Sequence, residues 1–304
     1  MNPSTSCAPN ISIHADRCRH DGLCARVCPV RIFTAAAGAV PAVAHAERCV
    51  LCGQCLAICP HEAIAHDRLD RARFARIEHH RPVEAAAALE LIRQRRSVRV
   101  YRADPVPREL LERVTAVAAY APTSAHGQEG WTRSVTVVSG VEPMRRVREL
   151  TIEYLRELRA LLGGAMVRVV ARFKIEPRRG LGMLADLELR LAEWETGRDG
   201  ILYDAPAAIF VHTPQMTHEP SADCDAALYA MMLAAHAHGL GTCWNGWLTK
   251  AADAFKARRA TGLRRMLEIP EHHLVGAAMT VGFPGLKLHS VPQRETRVRW
   301  VSSA

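Results

Sequence analysis

Cys49-Val50-Leu51-Cys52-Gly53-Gln54-Cys55-Leu56-Ala57-Ile58-Cys59-Pro60 decides how the N-terminal part of this chain folds. Its spacing, C-x2-C-x2-C-x3-C-P, is the complete bacterial iron–sulfur run. Upstream stands Cys18-x2-Asp21-x2-Cys24-x3-Cys28-Pro29, the same run with aspartate at the second ligand position. Two such runs in tandem hold two cubane clusters, and the fourth cysteine of each run ligates the cluster of the other. The predicted ligand sets are therefore Cys18, Asp21, Cys24 and Cys59 for one [4Fe-4S] cluster, and Cys49, Cys52, Cys55 and Cys28 for the other. A carboxylate is a harder ligand than a thiolate, so the iron at the Asp21 corner is expected to be labile, with a [3Fe-4S] form within reach. Asp21 is read as a ligand; the alternative is a spectator beside an open iron.

Zinc and disulfides are the competing uses of so many cysteines. Zinc ribbons use pairs of C-x2-C rather than a triple run that ends in Cys-Pro. Disulfides would imply export, and residues 1–15 carry no charged segment followed by an apolar one. The remaining cysteines, Cys7, Cys224 and Cys243, read as free thiols, and a cluster-bearing chain with free thiols suits a reducing cytoplasm. No apolar run reaches the length of a membrane span.

The 304 residues suffice for one small and one medium domain, and 49% hydrophobic residues allow a sizeable core. The formal charge of +9 comes largely from arginine. No basic stripe or nucleic-acid-binding module accompanies it, so no nucleic-acid partner is expected; a basic surface suits an acidic electron carrier instead. Residues 1–10 read as a disordered tail and 11–68 as a two-cluster domain with two short β-hairpins and two small helices. Residues 69–85 read as a linker and 86–304 as a larger unit. In that unit Ala86–Gln94 and Pro107–Ala118 have helical spacing. Ser134–Val138, Ala207–Val211 and Leu274–Gly282 read as strands. Asp223–His238 reads as a buried helix ending at Gly239-Leu240-Gly241. Residues 142–200 read as a lid-like excursion that carries Arg168, Arg172, Lys174, Arg178 and Arg179. Those residues are either a solvated helix face or a site for an anionic substrate.

Four separated segments of the larger unit resemble the nitroreductase family of FMN flavoproteins. They are Arg95-Arg96-Ser97-Val98-Arg99; Ala121-Pro122-Thr123-Ser124-Ala125-His126-Gly127-Gln128 leading to Trp131; Leu233 through Trp244, including Gly239-Leu240-Gly241-Thr242; and Gly282-Phe283-Pro284 followed by Val291-Pro292-Gln293-Arg294. The whole chain is similar to the subgroup in which a two-cluster ferredoxin domain is fused to this flavin domain. The resemblance implies an α+β fold: a bacterial-type ferredoxin domain joined to a dimeric unit with a central, mostly antiparallel sheet flanked by helices.

It also implies the flavin contacts. A phosphate dianion needs fixed cations, and the planar arginine fork gives two parallel charge-assisted hydrogen bonds. By resemblance Arg95, Ser97 and Arg99, with Arg96 in the same motif, meet the ribityl–phosphate side, and Arg294 reaches the phosphate from the far end of the chain. Pro122, Thr123, Ser124, His126 and Gln128 would approach the flavin from the neighbouring subunit, which makes the homodimer obligatory. His126 stands where the family commonly has asparagine. It is either a proton-bearing partner for reduced flavin or a satisfied interface histidine. The Trp244-Asn245-Gly246 turn resembles the segment beside flavin N5, where close backbone approach matters more than side-chain chemistry.

Clusters carry single electrons and a flavin handles one or two, so the expected function is conversion between the two. Electrons from reduced ferredoxin or flavodoxin would pass through the clusters to FMN, which reduces a small nitro, quinone or enone acceptor. No side chain is assigned as catalytic in this scheme. The alternatives are an NAD(P)H-dependent flavin reductase and a non-catalytic electron-transfer or redox-sensing module.

Overall fold

The computed structural model describes residues 8–78, 81–124, 133–162, 177–253 and 262–302, with side chains from 183 onward in the fourth stretch. Its N-terminal unit is built twice over. Equivalent residues lie 31 positions apart, as Cys18 and Cys49 do, and the backbone repeats with them. His20 and Leu51 have φ of 61° and 55°, Gly22 and Gly53 of 64° and 72°, Arg31 and Glu62 of 53° and 52°. The left-handed glycines cap two short helices, α1 (Leu23–Val27) and α2 (Gln54–Ile58), each carrying the cysteine at the third position of its run, Cys24 and Cys55. Glycine takes this conformation without the Cβ penalty that other residues meet.

Strands β1 (Ile11–Ile13) and β4 (Ile64–His66) pair antiparallel, as do β2 (Phe33–Thr34) and β3 (Ala42–Val43). Only the second pair is a hairpin, which corrects the expectation of two. Strands of two or three residues are too short to stand as separate hairpins, and joining the first strand to the last closes the repeat on itself. Ile11, Ile32, Phe33, Leu56 and Ile64 fill the small core between them, with Cys24 and Cys55.

The larger unit is an antiparallel sheet between two helical layers. Its strands are β5 (Ser134–Ser139), β6 (Ala207–Pro214), β7 (Gly241–Trp244) and β8 (His273–Gly282), in the order β5-β6-β8-β7. Its helices are α3 (Ala85–Gln94), α4 (Arg108–Ala116), α5 (Val141–Leu162), α6 (Pro177–Glu195), α7 (Pro220–Ala237), α8 (Gly246–Ala252) and α9 (Gly262–Met266). Along β6, Ala208 and Phe210 enter a core with α5, α6, α8 and α9, while Ala207, Ile209 and Val211 enter a second core with α4 and α7. Burial on both faces explains why β6 reads as an unbroken apolar run rather than an alternating one.

Two expectations change here. The excursion expected at 142–200 includes core structure at both ends: Met144, Val147, Leu150 and Leu155 of α5, and Leu187 and Leu191 of α6, are buried together. Arginines and glutamates on its outer face, such as Arg145 with Glu142, mask that stripe in the sequence. Strand β7 adds a fourth strand to the three expected; it has only four residues and starts directly after the Gly239 helix terminus. Gly239 is left-handed, and the Leu240 N–H donates to Ala235 O at 2.8 Å, closing the helix.

Beside β7 runs the Arg95–Tyr101 segment as an edge strap. Ser97 bridges Thr242 in parallel, Val98 N–H donates to Thr242 O at 2.9 Å, and Tyr101 bridges Pro284. Val98 packs so closely that a Cβ on Gly241 would lie 2.6 Å from it. That contact requires glycine at 241 and fixes where the strap's arginines project.

Candidate functional site

The N-terminal unit holds two cavities. One is lined by Cys28, Cys49, Cys52 and Cys55, the other by Cys18, Asp21, Cys24 and Cys59. These are the two predicted donor sets, with Cys28 and Cys59 each crossing to the cavity of the opposite run. Among the described residues no three His, Cys, Asp or Glu side chains converge as around a single ion. Each set supplies four donors, in the crossed arrangement that two tandem runs use for two cubane clusters.

Backbone donors already point at the sulfurs: Ile32 N–H to Cys28, Ala63 N–H to Cys59 and His20 N–H to Cys18, each at 3.4 Å. Burial pushes the Cys55 thiol up to about 12, and neighbouring Cys52 and Cys49 add to the shift; burial likewise raises Cys24 and Cys49. Thiols crowded this way do not ionise by themselves. Iron would supply the positive charge that reverses the preference, so the residues present fit the group. Asp21 lines its cavity while Oδ1 accepts the Leu23 N–H at 3.1 Å. The carboxylate is thus anchored at the start of α1, where the all-cysteine run has Cys52.

On the larger unit, a cavity of about 460 Å³ opens between α3, the end of α7, the start of β7 and the segment after β8. Arg95 and Arg96 line it with His236, Thr242 and Lys287. The Arg95 guanidinium lies over the Tyr229 ring, 5.9 Å from its centre, and its buried Nε has no hydrogen-bond acceptor among the described residues. An unsatisfied buried guanidinium N–H is costly, and an anionic phosphate answers it. Ser97 and Arg99 do not line this cavity. Together with Arg95 they act on Cys243: burial pushes the Cys243 thiol up, while Arg99, the Ser97 hydroxyl and Arg95 oppose the rise. Arg99 itself lies over the Tyr203 ring at 5.9 Å.

Next along the chain is the turn Trp244-Asn245-Gly246. The Asn245 side chain is spent on structure. Its Oδ1 accepts from Trp247 N and Leu248 N, both at 3.1 Å, and its Nδ2 donates to Ile201 O at 2.7 Å. Its backbone is engaged as well: the N–H donates to Ala278 O at 2.8 Å, and the C=O accepts the Thr249 N–H at 3.2 Å. Gly246 has open space where a Cβ would point, and Trp244 is exposed.

The Ala121–Ser124 loop is clamped from two sides by residues that no sequence motif marks. Asp223, buried in the first turn of α7, accepts from Ser124 N at 2.6 Å, Ser124 Oγ at 3.0 Å and Thr123 Oγ1 at 3.2 Å. Arg133 donates to Ala121 O at 2.7 Å and Pro122 O at 2.8 Å. Both hydroxyls expected to face a flavin therefore turn inward to Asp223. An acid near a helix start is too common a signal to single out Asp223.

His126, Gln128, Arg168, Arg172 and Lys174 lie outside the described residues, as do the side chains of Arg178 and Arg179. Arg294 is exposed on the irregular segment after β8, and it does not line the cavity that holds Arg95 and Arg96.

A model described as the nitroreductase family matches residues 92–283, and one described as a 4Fe-4S dicluster domain matches residues 10–60. The nitroreductase NfnB of Mycolicibacterium smegmatis is 31% identical over 193 residues, spanning 60% of this chain and 80% of that protein. The nitrobenzene nitroreductase of Ectopseudomonas oleovorans is 27% identical over 219 residues, spanning 69% and 90%. In fold, the chain is similar to an FMN-bound nitroreductase from Bacteroides fragilis, with a TM-score of 0.52 and 22% identity over 71% of this chain and 98% of that one. Its similarity to an FMN-bound nitroreductase from Desulfitobacterium hafniense has the same TM-score of 0.52, with 20% identity over 70% and 97%.

Proposed function

The chain belongs to the nitroreductase family as an FMN-dependent oxidoreductase with a two-cluster [4Fe-4S] unit, and from that premise we propose that a ferredoxin-type protein drives it to reduce a small organic acceptor. When bound, the clusters supply one-electron transfer and the flavin supplies conversion to two-electron chemistry. The observation that carries the reading is the pair of four-donor cavities, each completed by a cysteine from the opposite run. Such a unit is unnecessary for an enzyme that takes two electrons at once from a nicotinamide.

The chain's residues divide the work. Cys28, Cys49, Cys52 and Cys55 hold one cluster, and Cys18, Asp21, Cys24 and Cys59 the other. Arg95 and Arg96 hold the FMN phosphate from the strap, with Arg294 joining as the C-terminal segment settles. The Trp244–Gly246 backbone passes beside the flavin ring. Asp223 and Arg133 hold Pro122, Thr123 and Ser124 in shape for a second subunit. A homodimer is further supported by apolar residues left bare on one chain: Leu89 and Ile92 on α3, and Val298, Trp300 and Val301 near the end. The acceptor is a nitro, quinone or enone compound, and the donor is acidic, to suit the chain's charge of +9.

Anaerobic turnover tests the proposal. Reduced ferredoxin should sustain consumption of a quinone or nitroaromatic, and Cys59→Ser should abolish it. NAD(P)H-driven turnover that is indifferent to Cys59→Ser would contradict it and favour a nicotinamide-driven reductase.

A further inference from the structure

The two cluster cavities have the same backbone but different surroundings, and the difference centres on His66. This residue ends β4, and its imidazole is wholly buried. Nδ1 accepts the Arg68 backbone N–H at 3.1 Å. A backbone amide can only donate, so Nδ1 carries no proton and the ring proton sits on Nε2. Asp67 Oδ1 also lies 3.6 Å from Nδ1 and would favour a proton there. The amide is nearer, and the Asp67 side chain is half exposed and hydrated. Nε2 lies 3.6 Å from Cys49 Sγ. A thiolate bound to iron is an acceptor only, so the contact is an N–H···S hydrogen bond.

We propose that His66 tunes the all-cysteine cluster by donating Nε2–H to the Cys49 sulfur, raising that cluster's reduction potential relative to its partner. The proposal rests on the cluster reading and deepens it. The physical reason is charge: reduction adds negative charge to the cluster and its sulfurs, and a donor aimed at a sulfur stabilises the reduced form more. Among the described residues no imidazole serves the other cluster in this way. The position 31 residues before His66 is Ala35, whose methyl group packs 3.9 Å from where a Gly22 Cβ would be. His61 lines the Asp21 cavity, but it is exposed and makes no hydrogen bond to Cys18, Cys24 or Cys59 among those described. The segment that supplies His66 also brings Leu69 to the all-cysteine cavity and lays Phe74 against Gly53. One cluster is therefore covered and hydrogen-bonded by residues 66–74, while the other keeps a carboxylate and a polar rim.

The test is an EPR-monitored redox titration of the full-length protein. His66→Leu should shift the reduction equilibrium of the all-cysteine cluster about tenfold toward the oxidised form, which is about 59 mV for one electron. The Asp21 cluster and the flavin should keep their potentials. His66→Gln, which retains an N–H donor of similar reach, should restore most of the shift. An unchanged potential in a fully assembled His66→Leu protein, or an equal shift of all three centres, would overturn the proposal. Should His66→Leu assemble no cluster, 15N-histidine labelling of the unsubstituted protein decides. Pulsed EPR should show nitrogen coupling to the reduced all-cysteine cluster, and its absence would overturn the proposal. Iron and sulfide contents below two clusters in the unsubstituted protein would instead contradict the cluster reading itself.

Discussion

The run at Cys18–Pro29 and the run at Cys49–Pro60 fold alike and differ in chemistry. Their left-handed residues, capping glycines and short helices repeat at 31-residue spacing. One cavity has aspartate where the other has Cys52, and one has an imidazole on a ligand sulfur where the other, among the described residues, has none. Spacing and glycine set the cradle; single side chains set what each cradle does. A pair of unequal clusters gives a direction to electron flow that two identical ones would not.

The crossed ligation is the boldest part of the comparison. Cys28→Ser should empty the all-cysteine cavity, although Cys28 belongs to the aspartate-bearing run. Iron and sulfide should fall by about half, with the Asp21 cluster's EPR signal retained. Loss of the Asp21 cluster instead would break the pairing of the two halves.

Confining the comparison to the clusters requires a control on the flavin side. Arg95→Ala should weaken FMN binding roughly ten- to a hundredfold, the loss of one charge-assisted hydrogen-bonding group of about 1.5–3 kcal/mol. Fluorescence titration of FMN into deflavinated protein measures it, and cluster content should not move. Undiminished affinity would place the phosphate elsewhere.

Making the halves more alike sharpens the contrast. Asp21→Cys should abolish any three-iron EPR signal and make the first cluster resist mild oxidation as the second does, because thiolate replaces a harder ligand. A spectrum unchanged by the substitution would mean that Asp21 does not hold iron.

The smallest expected difference lies between the two capping glycines. Both are left-handed, so alanine at either costs about 1–2 kcal/mol. At Gly53 the new Cβ would also meet the Phe74 ring at 3.0 Å, whereas Gly22 has only Ala35 at 3.9 Å. Gly53→Ala should therefore lose its cluster faster in urea than Gly22→Ala, followed by visible absorbance. Equal rates would mean that Phe74 yields freely.

The two four-donor sets that line the cavities are legible in the sequence because all of them lie within two short runs whose spacing is itself the geometry. Strands β6 and β8 are legible as apolar runs, since both faces are buried. Strand β7 hides behind the Gly239 terminus, and the buried stripe of α5 behind its own surface arginines. Contacts across long separations leave no trace. Nothing in the sequence aims His66 at Cys49, ties Asp223 to Ser124, or turns the Thr123 hydroxyl inward. The pairing of β1 with β4 is of the same kind, because it depends on the closed repeat rather than on either strand.

The most direct test of the central claim, that the clusters feed the flavin, is anaerobic stopped-flow absorbance with two donors used separately. With reduced ferredoxin the account predicts that cluster bleaching precedes flavin bleaching, and that Cys59→Ser slows the flavin phase severely. Flavin bleaching first, by NAD(P)H and at the same rate with or without intact clusters, would contradict it.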